Sequence, residues 1–388
     1  MKFSQILVTV SGNDHPGITT EFMNILLTHH CRLLDIGQSV THGQLSLSFL
    51  IQGDTDAALR SLEEQAISFK LNLISKTLQT KNLPAVTGEK YVLSCVSQLG
   101  LSAQFIRSIS SLLATHNVNI LTMENRTQDS FKALDISVIA LEELDWEKMK
   151  IALMAASQSF KVDIALIKDD SFRLNKKLIV FDMDSTLIQA EVIDQMALVH
   201  GIGEKVKLIT ERAMNGELNF DQSLRERVAL LKGLPSHELQ NILKEIKLTP
   251  GVEDFMKKVK SLGYKTAIVS GGFRYFAESF QKRLGMDYAF ANELEIENEL
   301  LTGKVKGEIL NAQKKVEIME LIARKENLSL EQVVAVGDGA NDLPMLARAG
   351  LGIAFHAKEK VRLEARHQMN HGPMTTILYF LGIPGNHL

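Results

Sequence analysis

The pattern of apolar and polar residues over positions 1–82 switches between two periods. Every second residue is apolar in the strand-like runs, whereas apolar residues recur every three or four positions in the helix-like runs. The strand-like runs are residues 3–10, 33–41, 45–51 and 71–77, and the helix-like runs are residues 18–30 and 55–69. The order βαββαβ is that of a ferredoxin-like unit, which we predict for this part of the chain.

A second block with the same order follows about 85 residues later, which indicates two tandem modules. Its strand-like runs are residues 91–98, 118–123, 131–141 and 162–167, and its helix-like runs are residues 102–116 and 145–160. We therefore predict a second ferredoxin-like domain at residues 88–168. The segment 81–89, which contains Pro84 and Gly88, is the predicted linker between the two modules.

The pattern from residue 177 onward is that of an α/β domain, which we place at residues 177–388. Its predicted strands are residues 178–181, 265–269, 288–292, 294–305 and 333–336, and its predicted helices are residues 252–262, 273–284 and 314–325. Wholly apolar strands alternating with helices indicate a parallel sheet that is covered on both faces. A helical stretch punctuated by Gly and Pro interrupts this rhythm, and we predict that residues 190–248 form an inserted cap above the strand ends.

Composition narrows the functional classes. The chain has 388 residues, of which 45% are hydrophobic and 23% charged, and its formal net charge is −3, so no excess of charge favours nucleic acid or an anionic membrane as a partner. No run of about 18 apolar residues could span a bilayer, and the first residues lack the apolar core of a signal peptide. We expect a soluble cytoplasmic protein that binds neither nucleic acid nor membranes.

Three strands of the predicted α/β sheet end in polar motifs. The motifs are Asp182-Met183-Asp184-Ser185-Thr186, Ser270-Gly271-Gly272 and Gly337-Asp338-Gly339-Ala340-Asn341-Asp342. Each motif alone also fits an ordinary turn, because Asp, Ser and Gly are common turn residues. The carboxyl ends of parallel strands share one edge of the sheet, where ligands bind, so the three motifs together indicate a single site.

These motifs, together with Lys315, resemble those of the haloacid dehalogenase-like phosphatases over the whole α/β domain. The resemblance implies a Rossmann-like core in which Asp182 is the nucleophile that accepts the phosphoryl group and Asp184 is the general acid and base. It also implies Mg²⁺ as the cofactor, held by Asp182, by the backbone carbonyl of Asp184 and by Asp338. Asp342 would support these ligands, although alone it would also fit an acid at a helix start.

The same resemblance assigns the groups that bind phosphate. Ser270 and the backbone amide of Gly271 are expected to donate hydrogen bonds to phosphoryl oxygens, and Asn341 is expected to contact the phosphate. Lys315 would balance the charge, because an anion that attacks an anionic ester needs a cation nearby. Lys315 is preferred because it aligns with the family's lysine, whereas Lys314 fits a solvated side chain.

The cap residues Glu191, Asn219-Phe220-Asp221-Gln222-Ser223-Leu224 and Arg227-Val228 resemble the phosphoserine phosphatase family. O-phosphoserine carries an ammonium and a carboxylate besides its phosphate. Glu191 would pair with the ammonium, and Arg227 would hold the carboxylate through two parallel hydrogen bonds. Met214 and Phe220 would supply an apolar lid. The alternative is that Glu191 and Arg227 are surface charges on amphipathic helices.

The turn Asn13-Asp14-His15-Pro16-Gly17-Ile18 of the first module resembles the ACT domain, a regulatory module of amino-acid metabolism. Asp14, His15 and Gly17 lie where backbone N–H groups at a helix start could bind the carboxylate of an effector such as L-serine. The turn would serve equally well as a plain helix cap. The matching loop 98–102 lacks the signature, which leaves effector binding by the second module open. We also expect the modules to pair across a two-fold axis in a homodimer.

The predicted function is therefore hydrolysis of O-phospho-L-serine to L-serine and phosphate through an aspartyl-phosphate, the last step of serine biosynthesis. Amino-acid binding to the ACT-like modules would regulate it. Two alternatives stay open. A phosphatase or phosphotransferase for another small phosphate ester would keep the strand-end motifs and differ at Glu191 and Arg227. A non-catalytic amino-acid sensor with an inert phosphatase fold would have no reason to keep the catalytic aspartates and the lysine together.

Overall fold

The computed structural model describes residues 4–53, 55–78, 88–128 and 130–387. Its internal contacts divide the chain into two compact units, Met1–Val86 and Thr87–Leu388. Most of the predicted linker lies outside the described residues. In the described part of the chain, no helix combines the length and the apolar character needed to cross a membrane.

The first unit is a four-stranded antiparallel sheet with two helices. Its elements are β1 (Ser4–Asn13), α1 (Ile18–Thr28), β2 (Arg32–Thr41), β3 (Gln44–Gly53), α2 (Thr55–Ser68) and β4 (Asn72–Leu78). The strand order is β2-β3-β1-β4. Alternate residues of β1 and β3, such as Val8 and Phe49, share a buried core with Phe22 and Leu26 of α1. The predicted ferredoxin-like order is confirmed.

The second unit begins with the same arrangement. Its first elements are β5 (Glu89–Val96), α3 (Ala103–Thr115), β6 (Val118–Asn125), β7 (Ala133–Ala140), α4 (Trp146–Phe160) and β8 (Asp163–Lys168). The strands lie in the order β8-β5-β7-β6. Leu93 and Ile136 of the sheet share a core with Phe105 of α3 and Met149 of α4. The predicted βαββαβ order thus recurs, and we call β5 to β8 with α3 and α4 the second module.

The rest of the second unit is the α/β core with its cap. Its elements are β9 (Leu178–Phe181), α5 (Val192–Val199), α6 (Gly203–Met214), α7 (Phe220–Leu230), α8 (Glu238–Glu245), α9 (Val252–Ser261), β10 (Lys265–Phe273), α10 (Arg274–Leu284), β11 (Tyr288–Glu297), β12 (Leu300–Lys306), α11 (Ala312–Lys325), β13 (Val333–Gly337), α12 (Leu343–Arg348), β14 (Leu351–Phe355), α13 (Glu359–Glu364), β15 (His367–Met369) and α14 (Ile377–Phe380). Helices α5 to α8 form the predicted cap, and three 3-10 turns lie at Leu330–Gln332, Ala340–Asp342 and Met374–Thr376.

Strand β9 lies at the centre of the α/β core, with β10 on one side and β13 on the other, both parallel to it. Its side chains alternate between the two faces of the sheet. Ile179 and Phe181 belong to the core on one face, Leu178 and Val180 belong to the core on the other, and all four are buried. A strand without a solvent-facing side has no polar position, which explains its uninterrupted apolar run.

The sheet of the α/β core continues into the second module. The strand order is β12-β11-β10-β9-β13-β14-β15-β8-β5-β7-β6. The junction is an antiparallel contact between Gln368 of β15 and Ile164 of β8. The second module is therefore built into the same sheet as the α/β core, a pairing that no local pattern in the sequence indicated.

Two strands were predicted at residues 288–292 and 294–305, and the predicted boundary between them at residue 293 is wrong. The structure has an antiparallel hairpin of β11 and β12 instead. Its turn lies at Asn298 and Glu299, whose φ angles are 48° and 63°. Because no glycine or proline marks this left-handed turn, the sequence offered no strong sign of it.

Buried His367 should make the second unit less stable in acid. It lies in β15 and is 7% exposed. Burial, with the charges of Arg366 and Lys176, lowers the pKa of His367 from its usual 6.5 to about 3. Between these values the unfolded chain binds a proton that the folded chain does not bind. The free energy of unfolding should therefore decrease as the pH is lowered through this window, by about 1.4 kcal/mol per pH unit for one proton.

Urea unfolding across this pH range measures the effect. His367→Gln should flatten the pH dependence, because glutamine does not titrate. His237→Gln is the matched control at a side chain that is 70% exposed, and it should keep the wild-type slope. An unchanged slope in the His367→Gln protein would contradict the prediction.

Candidate active site

The register of three parallel strands brings the three predicted motifs to one edge of the sheet. Phe181, the last residue of β9, pairs with Ile268 of β10 and with Val336 of β13. Each motif begins one or two residues beyond these partners. The side chains that follow the strands consequently meet at the same edge, as parallel strands require.

Lys315 of α11 joins the first motif to the third. Its Nζ lies 2.9 Å from Oδ1 of Asp182 and 2.6 Å from Oδ1 of Asp342, and its side chain is 0% exposed. Burial opposes the charge, but the two carboxylates outweigh burial and raise the pKa of Lys315 above its usual value. Asn311 begins α11 and accepts a hydrogen bond from the amide of Lys314 at 3.1 Å. The site thus holds a permanent buried cation.

Three buried carboxylates form an acidic cluster at this edge. One oxygen each from Asp182, Asp338 and Asp342 lie within 4.8 Å of one another. Burial and the charges of Asp182 and Asp342 raise the pKa of Asp338 to about 8. Burial and the charge of Asp182 raise the pKa of Asp342 to about 6. Oxygen donors that repel one another in this way suit a hard divalent cation.

The third motif folds tightly around Asp342. A Cβ at Gly337 would lie 2.5 Å from Cγ of Asp342, so only glycine leaves room for this carboxyl group. Oδ1 of Asp342 accepts from Lys315, and Oδ2 accepts from the amide of Gly339 at 2.9 Å. The side chain of Asn341 folds over Gly339 and is half-buried. Through Asp342, these contacts join the loop of the third motif to Lys315.

Asp184 is an acid whose surroundings disfavour its charged form. Its Oδ1 is buried and has no hydrogen-bond partner among the described residues. Burial, followed by the charges of Glu191 and Asp182, raises the pKa of Asp184 well above its usual value. A Cβ at Gly272 would lie 2.9 Å from Oδ2 of Asp184, so the second motif lies directly against it. A carboxyl group whose pKa is raised in this way is suited to give a proton to a leaving group.

The second motif is held from behind by Asn292. Its Nδ2 donates to the carbonyl of Gly271 at 2.8 Å. Ser270 is 1% exposed, and its Oγ accepts from the amide of Gly272 at 3.0 Å. A Cβ at Gly271 would lie 2.8 Å from Cζ of Phe220, so the aromatic ring of the cap rests on this loop. The cap therefore contacts the core at a residue predicted to bind phosphate.

Glu191 lies at the entry to the cap, immediately before α5. Its Oε1 accepts a hydrogen bond from Oγ of Ser185 at 2.9 Å. Ser185 has a φ of 55°, an uncommon value for a residue with a side chain. This backbone turn aims the hydroxyl group at Glu191. The side chain of Met214, also predicted for the cap, lies outside the described part of the structure.

Arg227 of α7 is half-buried and faces the acids of the site. Its Nε donates to the carbonyl of Ser223 at 3.3 Å. Burial lowers the pKa of Arg227, and the charges of Glu191, Asp194 and Asp184 oppose that shift. The guanidinium is therefore within electrostatic reach of Asp184 as well as of Glu191.

The predicted effector turn is exposed on the first unit. Gly17 has a φ of 97° and begins α1 without a side-chain cap. The ring of His15 packs edge-on against Phe69 at a centroid distance of 4.9 Å, and the amide of Asp14 donates to Gly43 at 2.8 Å. Because no side chain caps α1, backbone N–H groups at its start are left for solvent or a ligand.

Four residues shape the site although the sequence analysis assigned them no role. Ser185 and Thr186 orient two carboxyl groups, the latter by donating to Oδ1 of Asp338 at 3.1 Å. Both lie inside the first motif, where polar residues after a strand were already a signal. Asn292 holds the second motif from 21 residues away, and nothing in its local pattern marks it. Asn311 caps α11 three residues before Lys314, and an Asn before a helical run is a local signal that could have indicated this role.

Two protein families match parts of the chain. Residues 176–350 match the haloacid dehalogenase-like hydrolases, and residues 4–74 match the ACT domain. Phosphoserine phosphatase of Streptomyces coelicolor is 37% identical over 387 residues, which cover 97% of this chain and 92% of that protein.

Two further proteins are similar over part of the chain. Phosphoserine phosphatase of Archaeoglobus fulgidus is 51% identical over 225 residues, which cover 58% of this chain and only 65% of that relative. The unliganded structure of a probable phosphoserine phosphatase from Vibrio cholerae has a TM-score of 0.61 and 34% identity, and the match covers 78% of this chain and 88% of that one.

Proposed function

The chain belongs to the phosphoserine phosphatases, which are haloacid dehalogenase-like hydrolases, and from this premise we propose how its own residues carry out the reaction. The reaction is hydrolysis of O-phospho-L-serine to L-serine and phosphate. One observation carries the proposed roles. A buried ammonium, that of Lys315, lies 2.9 Å from the carboxylate of Asp182, and burial raises the pKa of Asp184 nearby.

In the first half-reaction, a carboxylate oxygen of Asp182 attacks phosphorus, and the bond from phosphorus to the serine oxygen breaks. This gives an aspartyl-phosphate. Asp184 gives its proton to the leaving serine oxygen, a role that its raised pKa supports. Lys315 offsets the negative charge that gathers when an anion attacks an anionic ester.

In the second half-reaction, water hydrolyses the aspartyl-phosphate. Asp184, now a carboxylate, takes a proton from the water as its oxygen attacks phosphorus. The bond from phosphorus to Asp182 breaks, which releases phosphate and restores both side chains to their starting forms. Phe220 and Met214 would exclude water until serine has left, and the contact between Phe220 and Gly271 supports this role for the ring.

The phosphoryl oxygens would be bound from both neighbouring motifs. Ser270 and the amide of Gly271 lie in the irregular last part of β10, and Asn341 lies after β13. Both segments begin beside Asp182 at the same edge of the sheet, which supports this assignment. Donors on two sides of the group would keep phosphorus in line with the nucleophile during both half-reactions.

Mg²⁺ is the proposed cofactor. Asp182, the backbone carbonyl of Asp184 and Asp338 would hold it, and Asp342 would support them. The residues fit a hard cation, because three buried carboxylates lie within 4.8 Å of one another, and burial with the charge of Asp182 raises the pKa values of Asp338 and Asp342. When bound, the ion supplies positive charge that neutralises phosphoryl oxygens.

Metal removal should lower both activity and thermal stability. A ligand that binds the folded state alone adds about 2.7 kcal/mol at a hundred times its Kd, so Mg²⁺ should raise the melting temperature of EDTA-treated protein. Asp338→Asn should lose most of this increase. Asp254→Asn, at an exposed carboxyl group in the first turn of α9, should keep it. No increase in the wild type would refute the metal site.

The cap would select the amino-acid part of the substrate. Glu191 would pair with the ammonium of phosphoserine, and Arg227 would hold its carboxylate with two hydrogen bonds. The electrostatic interaction of Arg227 with Glu191 and Asp184 supports a shared binding region. Lysine could not replace arginine here, because it presents a point charge and no planar pair of donors.

Arg227→Lys tests this assignment. We expect kcat/KM for phosphoserine to fall about 10- to 100-fold, while the value for phosphoethanolamine, which lacks the carboxylate, changes little. Arg225→Lys, at an exposed neighbour in α7, is the matched control and should behave as the wild type. Equal losses on both substrates would disprove the carboxylate contact, and a wild type inactive on phosphoserine would overturn the proposed function.

L-serine, the product, is the proposed effector at the turn formed by Asp14, His15 and Gly17. The uncapped start of α1 supports binding of a carboxylate. Since L-serine would also bind the active site, titration calorimetry should use the full-length Arg227→Ala protein. Residual binding that disappears on adding His15→Ala would support the effector site, and no residual binding would exclude it.

A cytoplasmic homodimer acting at the last step of serine biosynthesis is the remaining part of the proposal. Leu33, Ile36 and Val40 are 40%, 44% and 47% exposed on edge strand β2, which supports pairing between copies. Light scattering should report a dimer, and Ile36→Lys should shift it toward the monomer. A wild-type monomer at working concentration would refute the dimer.

A further inference from the structure

The cap is attached to the α/β core by two chain segments that lie side by side. Ile188, on the way into the cap, forms an antiparallel bridge with Leu248 on the way out. The amide of Gln189 donates to the carbonyl of Lys247 at 2.9 Å, and its Nε2 donates to the carbonyl of Leu248 at 2.7 Å. We call the outgoing residues 247–251 the return segment. Together with the incoming residues, the return segment therefore sets the position of the cap.

The return segment is anchored to a loop near the end of the chain. The carbonyl of Pro250 accepts a hydrogen bond from the amide of Met374 at 2.9 Å. Gly251 begins α9 with a φ of 82°, and a Cβ there would lie 3.1 Å from both Cβ of Pro373 and the amide of Thr375. The loop after β15 and the start of α9 thus lie in close contact.

Asp163, the first residue of β8, grips the same loop from the side of the second module. Its Oδ1 accepts from the amides of Asn370 at 2.6 Å and His371 at 3.1 Å, and its Oδ2 accepts from the amide of Gly372 at 2.9 Å. Asp163 is 1% exposed. One buried carboxylate therefore orders three successive N–H groups, which is a strong, charge-assisted set of hydrogen bonds.

The second module has a further attachment to the C-terminal residues. Val96, Ala133 and Ala165 of its sheet share a buried core with Ile377 and Phe380 of the C-terminal segment. The face of the sheet opposite α3 and α4 is therefore covered by this chain itself. The module is held against the α/β core on the side from which Asp163 reaches the loop.

We propose that Asp163 is a positioning residue for catalysis, through which the second module holds the loop 370–375 and, through Pro250 and Gly251, the return segment of the cap. The proposal rests on the proposed function, because the cap residues Glu191 and Arg227 would bind the amino-acid part of phosphoserine. If the loop shifts, the cap shifts with it, and contacts to the amino-acid part of the substrate are lost before contacts to its phosphate.

Asp163→Asn tests the proposal with two substrates. The amide keeps the size of the side chain but turns an NH₂ group toward the N–H groups that Asp163 binds. We expect kcat/KM for phosphoserine to fall about 10- to 100-fold, chiefly through KM, because small displacements of positioning groups have large effects. p-Nitrophenyl phosphate offers no ammonium or carboxylate to the cap, and its kcat/KM should change less than about threefold.

Asp135→Asn is the matched control. Asp135 is also a buried carboxylate of the second module, but its partners are Arg173 at 3.0 Å and Arg126 at 3.5 Å. Loss of stability alone would lower the activity of both variants on both substrates equally. The ratio of kcat/KM for phosphoserine to kcat/KM for p-nitrophenyl phosphate should therefore change in Asp163→Asn and not in Asp135→Asn.

Gly251→Ala provides a second test if Asp163→Asn does not fold. Its added Cβ meets Pro373 and the amide of Thr375 at the other end of the connection. It should produce the same preferential loss on phosphoserine. If both single variants fold, the double variant should lose less than the sum of the two single losses in free energy.

Two outcomes would overturn the proposal: an unchanged substrate ratio in a folded Asp163→Asn protein, or an unchanged ratio in Gly251→Ala. A wild type that does not hydrolyse phosphoserine would instead overturn the proposed function, so the two failures are distinguishable.

Discussion

Replacing Asp182 by Asn should abolish phosphoserine hydrolysis while leaving the fold intact. The amide oxygen is far less nucleophilic than a carboxylate, so the aspartyl-phosphate cannot form and kcat should fall at least about 10⁴-fold. Folding should survive, because the amide oxygen can still accept from the amide of Met183 and from Lys315, which Oδ1 of Asp182 contacts at 2.8 Å and 2.9 Å. Lys315 also keeps Asp342 as a charged partner.

The decisive measurement for this variant is the covalent intermediate. Acid-quenched wild type should carry a phosphoryl group in an intact-mass spectrum, whereas the Asp182→Asn protein should not. Asp254→Asn should retain both turnover and the adduct, because its side chain is exposed in the first turn of α9. Turnover within about tenfold of wild type in Asp182→Asn would show that this residue is not the nucleophile.

Replacing Lys315 by Met should cost both activity and stability. The lysine is 0% exposed, and its ammonium lies between two buried carboxylates. Methionine fills a similar volume but leaves those acids without their cation, which costs about 3–5 kcal/mol for a buried pair that loses one partner. Loss of the charge that offsets the attacking anion should also lower kcat about 10²- to 10³-fold.

The neighbouring lysine is the natural control for this change. Lys314 is also at the start of α11, but it pairs with Glu308 at 2.9 Å and Glu317 at 3.1 Å on the surface. Lys314→Met should therefore behave nearly as wild type in both urea unfolding and turnover. If Lys315→Met were no less stable than Lys314→Met, the buried charges would not be coupled as the structure indicates.

In the proposed mechanism, the metal and Lys315 would share the neutralisation of negative charge. Lys315 contacts Asp182 and Asp342, whereas Asp338 contacts Thr186 and shares the acidic cluster. Excess Mg²⁺ should therefore rescue little of the activity lost in Lys315→Met, since the ion cannot occupy the position of Nζ. A titration of Lys315→Met with Mg²⁺ therefore distinguishes the charge supplied by Lys315 from the charge supplied by the metal.

The sequence by itself determined the elements of the α/β core and the order of its chemical groups. A wholly apolar run such as residues 178–181 is most stable as a strand buried on both faces of a sheet. A parallel sheet brings the ends of such strands to one edge. Asp182, Ser270 and Asp338 could be assigned to a common site for that reason. The two βαββαβ modules followed from the alternation of the strand and helix periods.

Only the tertiary structure decided which distant residues support these groups. Asn292 holds the second motif, Asp163 holds the loop after β15, and β15 pairs with β8, all across long separations in sequence. The hairpin turn at Asn298 was missed for a related reason, because no residue type there demands a left-handed backbone. Local periodicity records which face of an element is buried, but it carries no information on which other element buries it.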